Sequence, residues 1–191
     1  MRIPGIPVIL LIGFAAGCAG GSSTRPVEVL DPRTAVTFGA LKEPIELLSG
    51  AHSAVLVPGR RASFAYLGPV EWNRSGVLSY GLWVHIAPGN DRQPGDIHAP
   101  AAITLLLDDG PLTLSPIEAP VLGRPPYRPA ASWGQSAYFG VDVQTLRRMA
   151  ASGKLELAVR TADGSTLSFS PAGDTRAVLT RYLETRGITG D

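Results

Sequence analysis

From Val77 to Ile86 the side chains alternate without a break: Leu78, Tyr80, Leu82, Val84 and Ile86 share one parity, Ser79, Gly81, Trp83 and His85 the other. A period of two is that of a β-strand, whose successive side chains point to opposite faces. The first set predicts a face turned to the core. The second, a mixture of glycine, tryptophan and histidine, predicts a half-covered surface. Upstream, Leu67-Gly68-Pro69-Val70-Glu71-Trp72-Asn73-Arg74-Ser75-Gly76 predicts another strand and a turn, which would bring Trp72 near Trp83 across a hairpin.

The same pattern recurs in short pieces. Apolar runs at Ala35 to Phe38, Ile45 to Leu48, Ala54 to Val57 and Phe64 to Leu67 are each bounded by glycine, proline or serine. Such spacing argues for antiparallel strands rather than helices. Arg25 to Asp31 reads as an extended lead-in, and Pro88 to Pro100 as a polar loop holding Asn90, Asp91, Asp96 and His98. Ala101 to Leu107, the turn Asp108-Asp109-Gly110 and Leu112 to Leu114 make a hairpin. Ala119 to Gln135 is long and irregular, with four prolines among Arg124, Tyr127, Arg128 and Trp133. Loops of that length are uncommon unless functional or disordered, which marks these residues for interaction with a partner.

In the last third the period changes. Ala137 to Val141 is a strand. Asp142 then offers an N-cap to a helix whose stripe is Val143, Leu146, Met149 and Ala150, ended by Gly153. Leu155, Leu157 and Val159 alternate with polar neighbours, and Asp163-Gly164 turns that strand into Thr166 to Ser170, with Leu167 and Phe169 inward. Asp174 caps a second helix with the stripe Val178, Leu179, Tyr182 and Leu183. The fold class expected is mainly β, α+β: an antiparallel β-sandwich or open barrel with two helices in the C-terminal third, in a strand-helix-strand-strand-helix ending.

Composition narrows the function classes. Hydrophobic residues make up 45% and charged residues 17%, which excludes a disordered charged chain. Seventeen basic residues against sixteen acidic leave a net charge of +1, so no nucleic-acid partner is expected. Fifteen of the basic residues are arginine, with only Lys42 and Lys154 as lysine.

The single cysteine changes the picture more. Met1 and Arg2 precede an apolar run from Ile6 to Phe14, and Ala15-Ala16-Gly17-Cys18 follows. That run is too short to span a bilayer, which takes about 20 residues, and has the length of a secretory h-region. Ala15 and Gly17 also suit ordinary signal-peptidase cleavage, with Cys18 incidental. Ala15-Ala16-Gly17-Cys18 resembles the lipobox of bacterial lipoproteins, although that family more often has leucine where Ala15 stands. The resemblance implies that Cys18 becomes the lipid-modified first residue of the mature protein, carrying several acyl chains. By the family's sorting rule, Ala19 rather than aspartate after the cysteine implies the outer membrane, facing the periplasm. A secreted protein seldom keeps one unpaired thiol without a use. The divisions expected are 1–17 as signal peptide, 18–33 as the lipidated cysteine and a flexible tether, and 34–191 as a single β-rich domain. Leu67 to Gly76, Leu82-Trp83-Val84 and Tyr138-Phe139-Gly140-Val141-Asp142 further resemble a recurrent type of bacterial envelope lipoprotein to which no activity attaches.

Few residues suggest chemistry. Gly134-Gln135-Ser136-Ala137-Tyr138 lacks the second glycine of a nucleophile elbow, so Ser136 reads as a strand-start serine. No His-Glu-x-x-His motif is present, and His52, His85 and His98 lie far apart. Neither a calcium loop at Asn90 to Asp96 nor a phosphate-binding glycine loop matches, and no metal or cofactor is expected. Glu71, Trp72, Trp83 and His85 are the one polar and aromatic group that period might bring together. A histidine and a carboxylate there suit acid-base work in a periplasmic hydrolase; equally, they suit satisfying each other beneath a loop. The leading expectation is a non-enzymatic binding or scaffolding lipoprotein with an envelope protein as partner. A hydrolase near Glu71 and His85, or a carrier of an apolar ligand, is the alternative.

Overall fold

The structure is a computed structural model describing residues 26–49, 63–87, 89, 100–120, 124–129, 133–160, 164 and 166–188. Cys18 and its leader, the expected strand at Ala54 to Val57, His52, His98 and the Asn90 to Asp96 loop lie outside the described residues.

The described residues form one antiparallel sheet of eleven strands. In chain order these are β1 (Pro26–Asp31), β2 (Val36–Leu41), β3 (Ile45–Ser49), β4 (Phe64–Arg74), β5 (Val77–Ala87), β6 (Ile103–Leu107), β7 (Gly110–Leu114), β8 (Pro116–Ile117), β9 (Gln135–Val141), β10 (Leu155–Arg160) and β11 (Thr166–Pro171). Helix α1 (Val143–Ala151) follows β9, and α2 (Thr175–Thr185) follows β11. The order across the sheet is β7-β6-β10-β11-β3-β4-β5-β9-β8, with β1 and β2 branching from β4. Because β7 runs through Ser115 alone into β8 and lies against β9, the sheet curls into a nearly closed barrel. The expected β-rich architecture with two late helices is what the chain adopts. Pro26–Asp31, expected only as a lead-in within 18–33, pairs with β2 from Pro26↔Leu41 to Asp31↔Val36, so the sheet begins upstream of residue 34.

Each helix starts where its cap dictates. Asp142 Oδ1 accepts the Thr145 N–H at 2.7 Å, and Asp174 Oδ1 accepts the Ala177 N–H at 3.0 Å, each satisfying a first-turn donor. Leu146, Met149 and Ala150 of α1 and Leu179, Tyr182 and Leu183 of α2 belong to the same buried cluster as the inward strand residues. Those residues follow from register. Leu105, Leu157 and Phe169 stand in one row across β6, β10 and β11, and Leu67, Val84 and Ala137 in another across β4, β5 and β9.

The β4–β5 hairpin governs what lies on each face. Ser75 (φ 53°) and Gly76 (φ 88°) both take positive φ, the two-residue turn whose twist matches the strands it joins. It sets Arg74 opposite Val77, which in turn sets Trp72 opposite Ser79 and Gly68 opposite Trp83. Two expectations are thereby corrected. Trp72 and Trp83 share a face but are not partners; the Trp72 ring instead meets Tyr138 at 5.7 Å. And β5 does not divide into a core face and a half-covered one: Val77 and Leu78 are exposed at its start, whereas Gly81 to Ala87 are buried on both faces.

A polar latch holds α2 to the sheet. Arg186, the C-cap of α2, bonds Glu28 of β1 through Nη1 at 2.7 Å and Glu71 of β4 through Nη2. Its guanidinium lies over Gly39, where a Cβ would come within 2.6 Å of Cζ. A buried pair of this kind adds little net stability, but losing one partner strands the other charge in the interior.

Candidate functional site

The outer face of β4, β5 and β9 gathers most of the residues singled out in the sequence. Trp72 and Trp83 are each 2% exposed and His85 4%. Trp72 lies over Gly81 against Tyr138, whereas Trp83 and His85 are covered by the irregular segment between β8 and β9, whose point of attachment is a seam in the sheet. One edge of β4 pairs continuously with β5, while its other edge is shared: β2 takes residues 70–74 and β3 takes 64–67. Gly68 and Pro69 lie in the gap between them. Tyr127 fills it, its hydroxyl accepting the Leu41 N–H at 3.0 Å and donating to the Pro69 carbonyl at 2.7 Å. The phenol thus replaces the rung that would have joined Leu41 to Pro69. Its ring passes directly over Gly68, where a Cβ would sit 2.3 Å from ring carbons, and stacks on Trp83 with centroids 5.1 Å apart. Such aromatic pairs contribute about 0.5–1.5 kcal/mol beyond their burial.

The second attachment is His85. Its ring lies 5.7 Å from that of Trp83 and nearly parallel to it, with Tyr66 tilted against it at 6.0 Å. Nε2 is 3.2 Å from the Trp133 carbonyl oxygen and Nδ1 is 2.8 Å from Ser136 Oγ. A carbonyl only accepts, so Nε2 carries a proton; in the neutral ring Nδ1 then takes the hydrogen bond from the Ser136 hydroxyl. Gly134, between Trp133 and Ser136, has φ +128°; a Cβ there would come within 2.3 Å of the Ile86 carbonyl oxygen and 2.8 Å of His85 Nε2.

Glu71 does not join this group. Its register partner is Tyr80, that of His85 is Tyr66, and these pairs project from opposite faces of the sheet. The expected acid-base pairing of Glu71 with His85 is therefore corrected: Glu71 faces the latch with Arg186, and the partner of His85 is Ser136. Period alone did not reveal Arg186, which reaches the sheet from the far end of the chain. Tyr66 and Tyr138, the other aromatic neighbours on the outer face, were missed although both share its parity. The Trp72 indole N–H is buried without an acceptor among the described residues. No group of three His, Cys, Asp or Glu able to hold a metal ion occurs among the described residues.

Around the buried Tyr127, the segment turns Arg124 and Arg128 outward, and Trp133 is 40% exposed. The loop expected to interact is thus two things at once, a cover for the sheet and a display of two guanidinium groups and an indole. No protein-family model, curated protein or solved structure matches the chain.

Replacing Tyr127 by phenylalanine keeps the ring but leaves the Leu41 N–H and the Pro69 carbonyl unpaired. Urea unfolding should show a loss of about 1–3 kcal/mol; an unchanged midpoint contradicts the bridging role. Alkaline pH should act on the same face. Burial pushes the Tyr138 phenol up to about 12 and raises Tyr127 and Tyr182 as well. In the unfolded chain phenols titrate near 10, so above about pH 10 the unfolded state releases protons that the folded state keeps. Stability is therefore full below about pH 10 and falls as pH rises towards about 12. Thermal melts across that range should show this fall, reduced in Tyr138→Phe; a flat profile contradicts it.

Proposed function

We propose that this chain is a lipid-anchored protein of the bacterial envelope, sorted to the outer membrane and facing the periplasm, that works by binding a partner protein rather than by catalysis. The observation that carries the binding half is the clamped display of Arg124, Arg128 and Trp133. Tyr127 ties the segment to two strands, and the Trp133 carbonyl ties it to His85, so much of the ordering cost of a binding loop is met before any partner arrives. Arginine and tryptophan are the residue types that most often dominate interface energies. The complementary partner carries carboxylates around an apolar recess.

The anchoring half is supported by Ala15-Ala16-Gly17-Cys18, by the lone cysteine, and by the small residues Ala19 to Thr24 that follow. No helix among the described residues is long and apolar enough to cross a membrane. Carriage of an apolar ligand gains no support from a cavity of about 280 Å³ beside the start of α2, lined in part by Glu43, Glu46 and Asp174, or from open grooves of about 440 and 570 Å³, lined in part by Lys154, Glu156 and Arg176 and by Asp142, Gln144 and Arg147.

In cells making the full-length protein, a photocrosslinker replacing the exposed Pro125 should capture a defined envelope protein, and one at Arg160 should not. Arg124→Glu with Arg128→Glu should abolish the capture. Palmitate should label the wild type and not Cys18→Ser. Equal capture from both positions contradicts the binding surface, and an unlabelled wild type contradicts the anchor.

One contact favours a second reading. An exposed serine bonded to a buried histidine, itself oriented by a carbonyl, is the arrangement of a nucleophile and its base. In such an esterase Ser136 Oγ would bond the acyl carbon as its proton passes to His85 Nδ1, and that proton would then leave with the alkoxide. A fluorophosphonate probe should label the wild type and neither Ser136→Ala nor His85→Gln; an unlabelled, folded wild type disposes of this reading.

A further inference from the structure

At one end of the sheet Leu30, Val77 and Leu78 are 61%, 70% and 49% exposed. Register gathers them. Leu30, Thr37, Asn73 and Leu78 form one row across β1, β2, β4 and β5. At about 4.8 Å per strand, that row is roughly 14 Å wide. The last row, Asp31, Val36, Arg74 and Val77, leads into the two turns that close the tip. Arg33 in the first turn and Arg74 beside the second are exposed. The acidic groups nearby are engaged: Asp31 is 3% exposed and accepts the Arg33 N–H, Glu28, two rows behind Leu30, is held by Arg186, and Asp142, exposed beside Leu78, caps α1 by accepting the Thr145 N–H. The tip therefore presents aliphatic side chains flanked by two guanidinium groups and no exposed carboxylate in its two outermost rows.

That pairing suits a lipid headgroup layer, where aliphatic side chains enter the acyl boundary and guanidinium groups bind phosphates. We propose that this tip rests on the anionic membrane surface to which Cys18 holds the chain, which rests on the reading of Cys18 as lipid-modified. The geometry permits it. Pro26, where β1 begins, is at the end of the strand away from the tip. β1 is about 17 Å long, whereas the eight residue steps from Cys18 to Pro26 can reach about 28 Å when extended. The other end of β1 meets Leu41, followed by the exposed pair Lys42 and Glu43, which offers neither an apolar row nor a net positive charge.

The test uses the full-length lipidated protein in vesicles of phosphatidylethanolamine and phosphatidylglycerol, with an environment-sensitive fluorophore on Leu78→Cys or, as control, on Arg160→Cys. On vesicles that carry the protein in flotation, emission at position 78 should shift to the blue and rise several-fold, and at 160 it should not. Arg33→Glu with Arg74→Glu should return position 78 to the control signal without releasing the protein. Flotation with identical emission at both positions overturns the tip while leaving the anchor standing. Failure to float overturns the anchor and the tip together. A concentration-dependent shift already present in detergent assigns the tip to a second copy of the chain, and that overturns the proposal too.

Discussion

Everything on the outer side of this barrel depends on one hydroxyl. β4 offers a single edge to two strands, and where β2 ends and β3 has not begun, the ladder has a gap between Leu41 and Pro69. Buried peptide groups must find partners, and Pro69 has no N–H with which to repair the ladder. The phenol of Tyr127 is long enough to reach the gap from outside and both donates and accepts there. From this follow Gly68, whose missing side chain lets the ring pass, and Trp83 opposite it, on which the ring stacks. The segment on either side is held where Arg124, Pro125 and Arg128 face water.

The latch at Arg186 performs the same service on the inner side. It joins the end of α2 to β1 and β4, again above a glycine, Gly39, that makes room for it. Both closures consist of a long polar side chain laid across a glycine and bonded to two strands.

Much of this was readable from the chain, and what was not has definite causes. The β6–β7 hairpin, both helix caps and the inward stripes follow from local rules, so they stand where the alternation and the aspartates place them. The separation of Glu71 from His85 was readable as well: a two-residue turn at Ser75-Gly76 fixes every partner in the hairpin, and parity then puts the two on opposite faces. β1 read only as an extended lead-in, bounded by the breakers Pro26 and Pro32, although Val27, Glu28 and Val29 alternate. The burial of the second face of β5 had only an indirect signal, its glycine, tryptophan and histidine. What buries it arrives from some forty residues further along the chain, and no local period records such a contact. Arg186 lay beyond inference for the same reason.

The bond from Arg186 to Glu28 joins residues 158 positions apart. Contacts of that separation close a loop that takes in most of the chain and tend to form late in folding. A chain is synthesised from its N-terminus, so β1 must wait, with Val27 and Leu30 unprotected along an open edge, until Arg186 has been added. The period of greatest exposure to aggregation thus falls before β1 and the end of α2 have met.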